Sequence, residues 1–195
     1  MNTDNYKDVY CLRHTIPDIK LIYAYGQTDI DVAESFETEA ARCRSVLPED
    51  ISAYTVISSP LQRCYKLARY LSDEVQTDER LKEVSFGEWE MRPWEEIEQA
   101  EGYRAWRQDF VNRSAPGGES FRQMAERVMA CYRDTLEKPG DRFILVSHGG
   151  AIRALIAGLT GLPLANLFQI NIDFGGVTLI RAYTSKPHKI IYINR

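Results

Sequence analysis

Apolar positions along this chain follow two rhythms: short continuous runs, and longer stretches that repeat at threes and fours. Residues 9–12 form the first run, which Arg13 and His14 end. Over residues 31–47 the side chains Ala33, Phe36, Ala40, Cys43 and Leu47 recur at helical spacing, predicting a helix. A second run, residues 54–57, is broken by Ser58-Ser59-Pro60. From Leu61 the helical rhythm returns through Cys64, Leu67, Ala68 and Leu71. It recurs over residues 121–136 through Phe121, Met124, Val128, Cys131 and Leu136. The third run, residues 143–146, ends at Ser147 and His148, and Gly149-Gly150 leads into an apolar helix over 151–159. Residues 177–183 and 189–193 are predicted as closing strands.

Strands separated by helices predict an α/β fold, and strands buried on both faces of a parallel sheet read as short continuous apolar runs. The expectation is a single three-layer domain over residues 1–195, a mostly parallel sheet flanked by helices. Residues 83–120 differ from the rest. They hold all three tryptophans (Trp89, Trp94 and Trp106), Tyr103 and many acids, and close on Pro116-Gly117-Gly118. This segment is expected to be an insert that covers a substrate.

Composition narrows the function classes. At 195 residues, with 44% apolar and 27% charged side chains, the chain has the balance of one globular domain. Its formal charge of −4 argues against nucleic acid or an anionic membrane as partner. No apolar run approaches the roughly 18 residues of a membrane helix. The opening residues 1–8 are polar and lack a signal core. Cys11, Cys43, Cys64 and Cys131 are scattered, which favours reduced thiols over disulfides or zinc. A cytoplasmic protein is expected, and a homodimer is left open.

Chemistry is expected where strands end. In an open parallel sheet, ligands bind outside the carboxyl ends of the strands. Arg13-His14, Arg63 just beyond Ser58-Ser59-Pro60, and His148 each follow an apolar run, so they should meet at one rim. Ser59 is a good N-cap and Pro60 suits a first helical turn, and a second helix starts after Gly149. Helix N-termini favour anions, Gly149 and Gly150 permit close backbone approach, and arginine forks match phosphate oxygens. A metal is not expected, since the histidines lack ligand spacing and arginines beside them would repel a cation. Taken singly, each residue has a bland alternative. A histidine at a strand end is usually a surface group, as His188 is expected to be, and a tryptophan cluster is more often core than ligand platform.

Five motifs in order change that weighting. Leu12-Arg13-His14-Thr15 resembles the L-R-H-G opening of the histidine phosphatase superfamily, also called the phosphoglycerate mutase-like fold. Ser58-Ser59-Pro60-Leu61-Gln62-Arg63 resembles its S-S-P-L-x-R segment. Leu81-Lys82-Glu83 with Phe86-Gly87-Glu88-Trp89-Glu90 is similar to L-x-E-x-x-F-G-x-W-E. Pro116-Gly117-Gly118-Glu119-Ser120 and Val146-Ser147-His148-Gly149-Gly150 complete the set.

The resemblance implies a phosphomonoesterase that needs no cofactor and takes a small phosphate monoester. It implies that His14 becomes phosphorylated, that Arg13, Arg63 and His148 hold the phosphoryl oxygens, and that Glu83 protonates the leaving oxygen. The Gly149 N–H is expected to join the pocket. Thr15 stands where the family has glycine, and the family's following asparagine has no match, so Gln27 or Thr28 is expected to complete that side. Tyr25-Gly26-Gln27-Thr28-Asp29 resembles the α-ribazole phosphatase branch, which implies α-ribazole 5′-phosphate as substrate, in assembly of the cobalamin nucleotide loop. Trp94 and Trp106 are then expected to stack on its base. A phosphoglycerate mutase or broad sugar-phosphate phosphatase is the alternative enzyme, and a silent phospho-ligand sensor the alternative of another class. The intact set His14, Glu83 and His148 argues against the sensor.

Overall fold

Side chains on the central strands divide cleanly between two cores. The structure, a computed structural model, describes residues 5–195; the first half of the polar opening segment lies outside them. In β1 (Tyr6–Arg13), Val9 and Cys11 face one core while Tyr10 and Leu12 face the other. The same alternation holds in β4 (Arg142–Ser147), with Phe143 and Leu145 on the first side and Ile144 and Val146 on the second. Both faces are therefore covered. Helices α5 (Phe121–Glu137) and α6 (Gly149–Thr160) pack on the first face. Helices α1 (Phe36–Val46) and α2 (Gln62–Leu71) pack on the second.

The remaining strands are β2 (Thr55–Ser58), β3 (Val75–Thr77), β5 (Val177–Tyr183) and β6 (Lys189–Tyr192). They form one six-stranded sheet in the order β3-β2-β4-β1-β5-β6. β3, β2, β4 and β1 pair in parallel; β5 runs antiparallel to both β1 and β6. The fold is thus the expected single α/β domain with a mostly parallel, mixed sheet. Because β2, β4 and β1 are adjacent and parallel, their carboxyl ends share one edge, as the sequence required.

Three local expectations are corrected. The first helix starts at Phe36 rather than near residue 31, because residues 31–33 pair their backbone with residues 16–18 instead. Ser59 does not cap α2. That helix begins at Gln62, whose N–H is taken by Asp29 Oδ1 at 2.7 Å, and Pro60 lies outside it. The final helix starts two residues earlier than expected, at Gly149, with His148 as its N-cap. Strand β3 had no signal to read, being three largely exposed edge residues.

Segment 83–120 carries short helices, α3 (Trp94–Ile97) and α4 (Tyr103–Gln108), around a small core of its own. Trp89 is buried there with Ile97 and Ala115, and Trp106 bridges this core and the main one.

Candidate active site

The strand ends place two histidines side by side. His14 follows β1 and its N–H continues the ladder to the Ser147 carbonyl at 3.0 Å; His148 follows β4. Their rings meet edge to face, with centroids 5.1 Å apart, and both are fully buried. His14 Nδ1 lies 2.7 Å from the Thr15 carbonyl. A carbonyl only accepts, so Nδ1 carries the proton and Nε2 keeps a free lone pair. Burial, then the charges of Arg63 and Arg13, hold the His14 pKa well below its ordinary value. Burial, Arg63 and His14 do the same to His148. Both rings are therefore neutral near pH 7. A neutral imidazole with a free Nε2 is a nucleophile.

Around them stand two guanidinium groups. Arg63, on the first turn of α2, has no exposed surface; its Nη1 and Nη2 donate to the Thr28 and Gly26 carbonyls, each at 2.7 Å. Arg13 donates to the Ile172 carbonyl at 2.6 Å and stacks on the Phe174 ring at 3.7 Å. The Nε–H of each arginine is buried without a partner. Leaving such a donor unpaired costs free energy, so both suit an anion whose oxygens would accept. His148 Nε2 contacts the Ser59 hydroxyl at 2.8 Å, which is where that serine's side chain is spent.

Glu83 faces this group from irregular chain after a 3-10 turn, Glu79–Leu81. Its Oε2 accepts the Gly150 N–H at 2.9 Å and its Oε1 the Val84 N–H at 3.0 Å. A Cβ at position 150 would lie 2.3 Å from Glu83 Oε1, so any larger residue there must displace the Glu83 carboxyl. Gly149 leaves room for Arg13 in the same way, with a Cβ falling 3.2 Å from the guanidinium carbon.

A cavity of about 360 Å³ opens beside these groups. Arg13, Glu83, Trp94 and Trp106 line it, as do Tyr25 and Arg153. Of the other expected residues, Gln27, Thr28 and Gly149 do not line it, nor do the buried His14, Arg63 and His148. Gln27 turns to the Glu83 carbonyl and Glu119, and Thr28 donates its hydroxyl to Glu90. Glu90 also accepts the backbone N–H groups of Gln27, Thr28 and Phe86. These residues shape the loop whose carbonyls hold Arg63. Gly26 belongs to that loop: its φ of +27° and the 2.5 Å from a built Cβ to Glu90 Oε1 exclude larger residues.

Sequence reasoning missed Arg153, Tyr25 and Phe174. Arg153 had a signal, standing one helical turn after Gly149 and so on the same face of α6. Its Nε donates to the Ile170 carbonyl at 2.7 Å, and no acid pairs with it among the described residues. Burial, then Arg13, lowers its pKa. All four cysteines are buried and free, and burial raises the thiol pKa of Cys11 to about 12 and of Cys43 to about 11. No group of three or more histidine, cysteine, aspartate or glutamate side chains could hold a metal ion among the described residues. No helix there is long and apolar enough to cross a membrane.

Known proteins resemble this chain in sequence and fold. A family model, the histidine phosphatase superfamily (branch 1), matches residues 9–194. A Hydrogenobacter thermophilus protein provisionally named phosphoserine phosphatase 2 is 31% identical over 198 residues, covering 97% of this chain and 96% of that one. The adenosylcobalamin/α-ribazole phosphatase of Escherichia coli K12 is 33% identical over 144 residues, 70% of this chain and 71% of that one. The native structure of a mycobacterial glucosyl-3-phosphoglycerate phosphatase matches with a TM-score of 0.83 at 27% identity, covering 97% of this chain and 99% of that one.

Proposed function

This chain belongs to the histidine phosphatase superfamily and is a phosphoric monoester hydrolase; we propose that it works without a metal ion, through a phosphohistidine at His14. The observation that carries this reading is the His14 Nδ1 contact to the Thr15 carbonyl, which leaves Nε2 free in a cationic pocket.

The steps follow from the groups in place. His14 Nε2 attacks phosphorus and the ester P–O bond breaks, while Glu83, protonated, gives its proton to the departing oxygen. Arg13, Arg63 and an N–H of His148 stabilise charge on the transferring oxygens, in a site where water competes little. Water then attacks the phosphohistidine, Glu83 takes its proton, and phosphate leaves with His14 neutral again. The nucleophile is ready in the starting state, because neither histidine must lose a proton first.

α-Ribazole 5′-phosphate is the substrate we propose. Its flat base suits a cavity walled by Trp94, Trp106 and Phe86, and the E. coli relative bears that activity in its name. Segment 83–120 then covers the bound ester. Trp94 and Trp106 lie roughly parallel, with 26° between planes and centroids 6.4 Å apart, so they form a wall and the base rests against it. Arg153 favours a second reading. A half-buried guanidinium with no acid partner suits a carboxylate near the phosphate, and phosphoserine and glucosyl-3-phosphoglycerate, named for two relatives, both carry one.

The test is phosphate release in excess EDTA from α-ribazole 5′-phosphate, phosphoserine and 3-phosphoglycerate. The proposal expects turnover unaffected by EDTA and the highest kcat/KM for the ribazole ester. Preference for phosphoserine selects the second reading. Isomerisation of 3-phosphoglycerate outpacing phosphate release would show a mutase, and abolition by EDTA would overturn the metal-free mechanism.

A further inference from the structure

Glu83 stands on chain that makes no sheet ladder and no long helix, so something else must fix its reach. Four consecutive carbonyls there accept bonds from side chains of other elements. Arg127, on α5, donates Nη1 to the Arg80 and Lys82 carbonyls at 2.8 and 2.7 Å and Nη2 to the Glu83 carbonyl at 2.8 Å. The Ser147 hydroxyl donates to the Leu81 carbonyl at 2.7 Å. Gln27 adds a second bond to the Glu83 carbonyl at 3.0 Å. Arg127 is in turn clamped by Glu119, whose Oε2 accepts its Nε–H at 3.0 Å and whose Oε1 accepts from Nη2. The same Oε1 accepts the Ser85 N–H at 3.0 Å, closing a loop of bonds around residues 83–85.

The pair is mostly buried, with about a fifth of either side chain exposed. A buried fork–fork pair is held in one geometry by its own bonds, so it transmits position rather than merely adding charge. Every nitrogen of the Arg127 guanidinium donates to Glu119 or to the carbonyls of residues 80, 82 and 83, and the residue does not line the cavity.

We propose that Arg127, braced by Glu119, is a positioning residue that sets how far the Glu83 carboxyl reaches toward the leaving oxygen. This rests on the reading of Glu83 as proton donor. Displacing a general acid harms esters with poor leaving groups most, because a good leaving group departs without a proton.

The experiment compares kcat/KM for p-nitrophenyl phosphate and for glycerol 2-phosphate, an alkyl ester. Glu83→Gln, Arg127→Met, Arg127→Lys and Glu119→Gln are measured beside the unaltered enzyme. Arg127→Met should lower the alkyl-to-nitrophenyl ratio about tenfold, in the direction of Glu83→Gln. Arg127→Lys, which keeps the charge but not the fork, should fall between. Should Arg127→Met fail to fold, Glu119→Gln loosens the brace and is expected to move the ratio the same way. A shifted ratio in Glu83→Gln but equal losses on both esters in the Arg127 and Glu119 variants would overturn the positioning role alone. An unshifted ratio in Glu83→Gln would overturn the acid role and the positioning role with it.

Discussion

The two ends of the candidate site are built differently. At the end that holds the buried histidines, beside the cavity rather than lining it, His14, His148 and Arg63 sit on strand ends and a helix start. At the other end, Trp94 and Trp106 sit on helices of four and six residues around a four-residue core, with Phe168 60% exposed nearby. Fixed dipoles and charges stabilise a transition state only if they need not reorganise, so the reacting end belongs on rigid elements. A wall that recognises the alcohol portion tolerates more motion. On the function proposed above, chemistry and selectivity are housed in separable parts of one domain.

That separation can be broken at its rigid end first. His14→Ala should cost at least about a thousandfold in kcat on every ester, since the nucleophile and the charges around it act as a unit; initial-rate assays check this. Gly150→Ala comes next. Its new Cβ would lie 2.3 Å from Glu83 Oε1, and a side-chain tip yields more easily than backbone. The fold should survive while the acid moves, lowering kcat on alkyl esters by roughly tenfold to a hundredfold. Thermal melting and alkyl-ester kinetics together separate those effects.

At the softer end, Trp94→Leu should raise KM for α-ribazole 5′-phosphate about five- to tenfold with little change in kcat. Glycerol 2-phosphate should be nearly unaffected. Equal changes on both esters would reduce the wall to packing and collapse the comparison.

The remaining effect is on stability rather than rate. Burial depresses the pKa of His14 and His148 well below 6.5, the value to which unfolding returns them. Below pH about 6.5 the unfolded chain therefore binds more protons, and stability falls until the folded-state values are reached. Each histidine contributes up to about 1.4 kcal/mol per pH unit in that window. Urea titrations between pH 7.5 and 5.5 read the slope, and a flat profile would contradict neutral buried imidazoles.

The sequence exposed the rigid end far better than the soft one. Apolar runs in buried parallel strands are continuous, and the residue after each run stands at the strand's carboxyl end, so Arg13, His14 and His148 could be placed by reading alone. Arg63, just beyond the second run, could be placed the same way, and motif order added Glu83. The partners of Gln27 and Thr28 could not be read, because their acceptors, Glu90 and Glu119, lie more than 60 residues away. Ser59 looked like a cap because no sequence rule shows that Asp29 supplies a bond to the start of α2 and that His148 takes the serine hydroxyl. Arg127 was invisible for a related reason: a helix arginine signals nothing until the carbonyls it holds are known.

The central claim is covalent, so the most direct measurement is to trap the covalent state. The enzyme is mixed with a 32P-labelled monoester in EDTA, quenched in alkali within one turnover, and the labelled peptide sequenced. The account predicts an acid-labile, alkali-stable label on the peptide carrying His14, absent in His14→Ala. Label on another residue, or turnover with no label at any quench time, would contradict it.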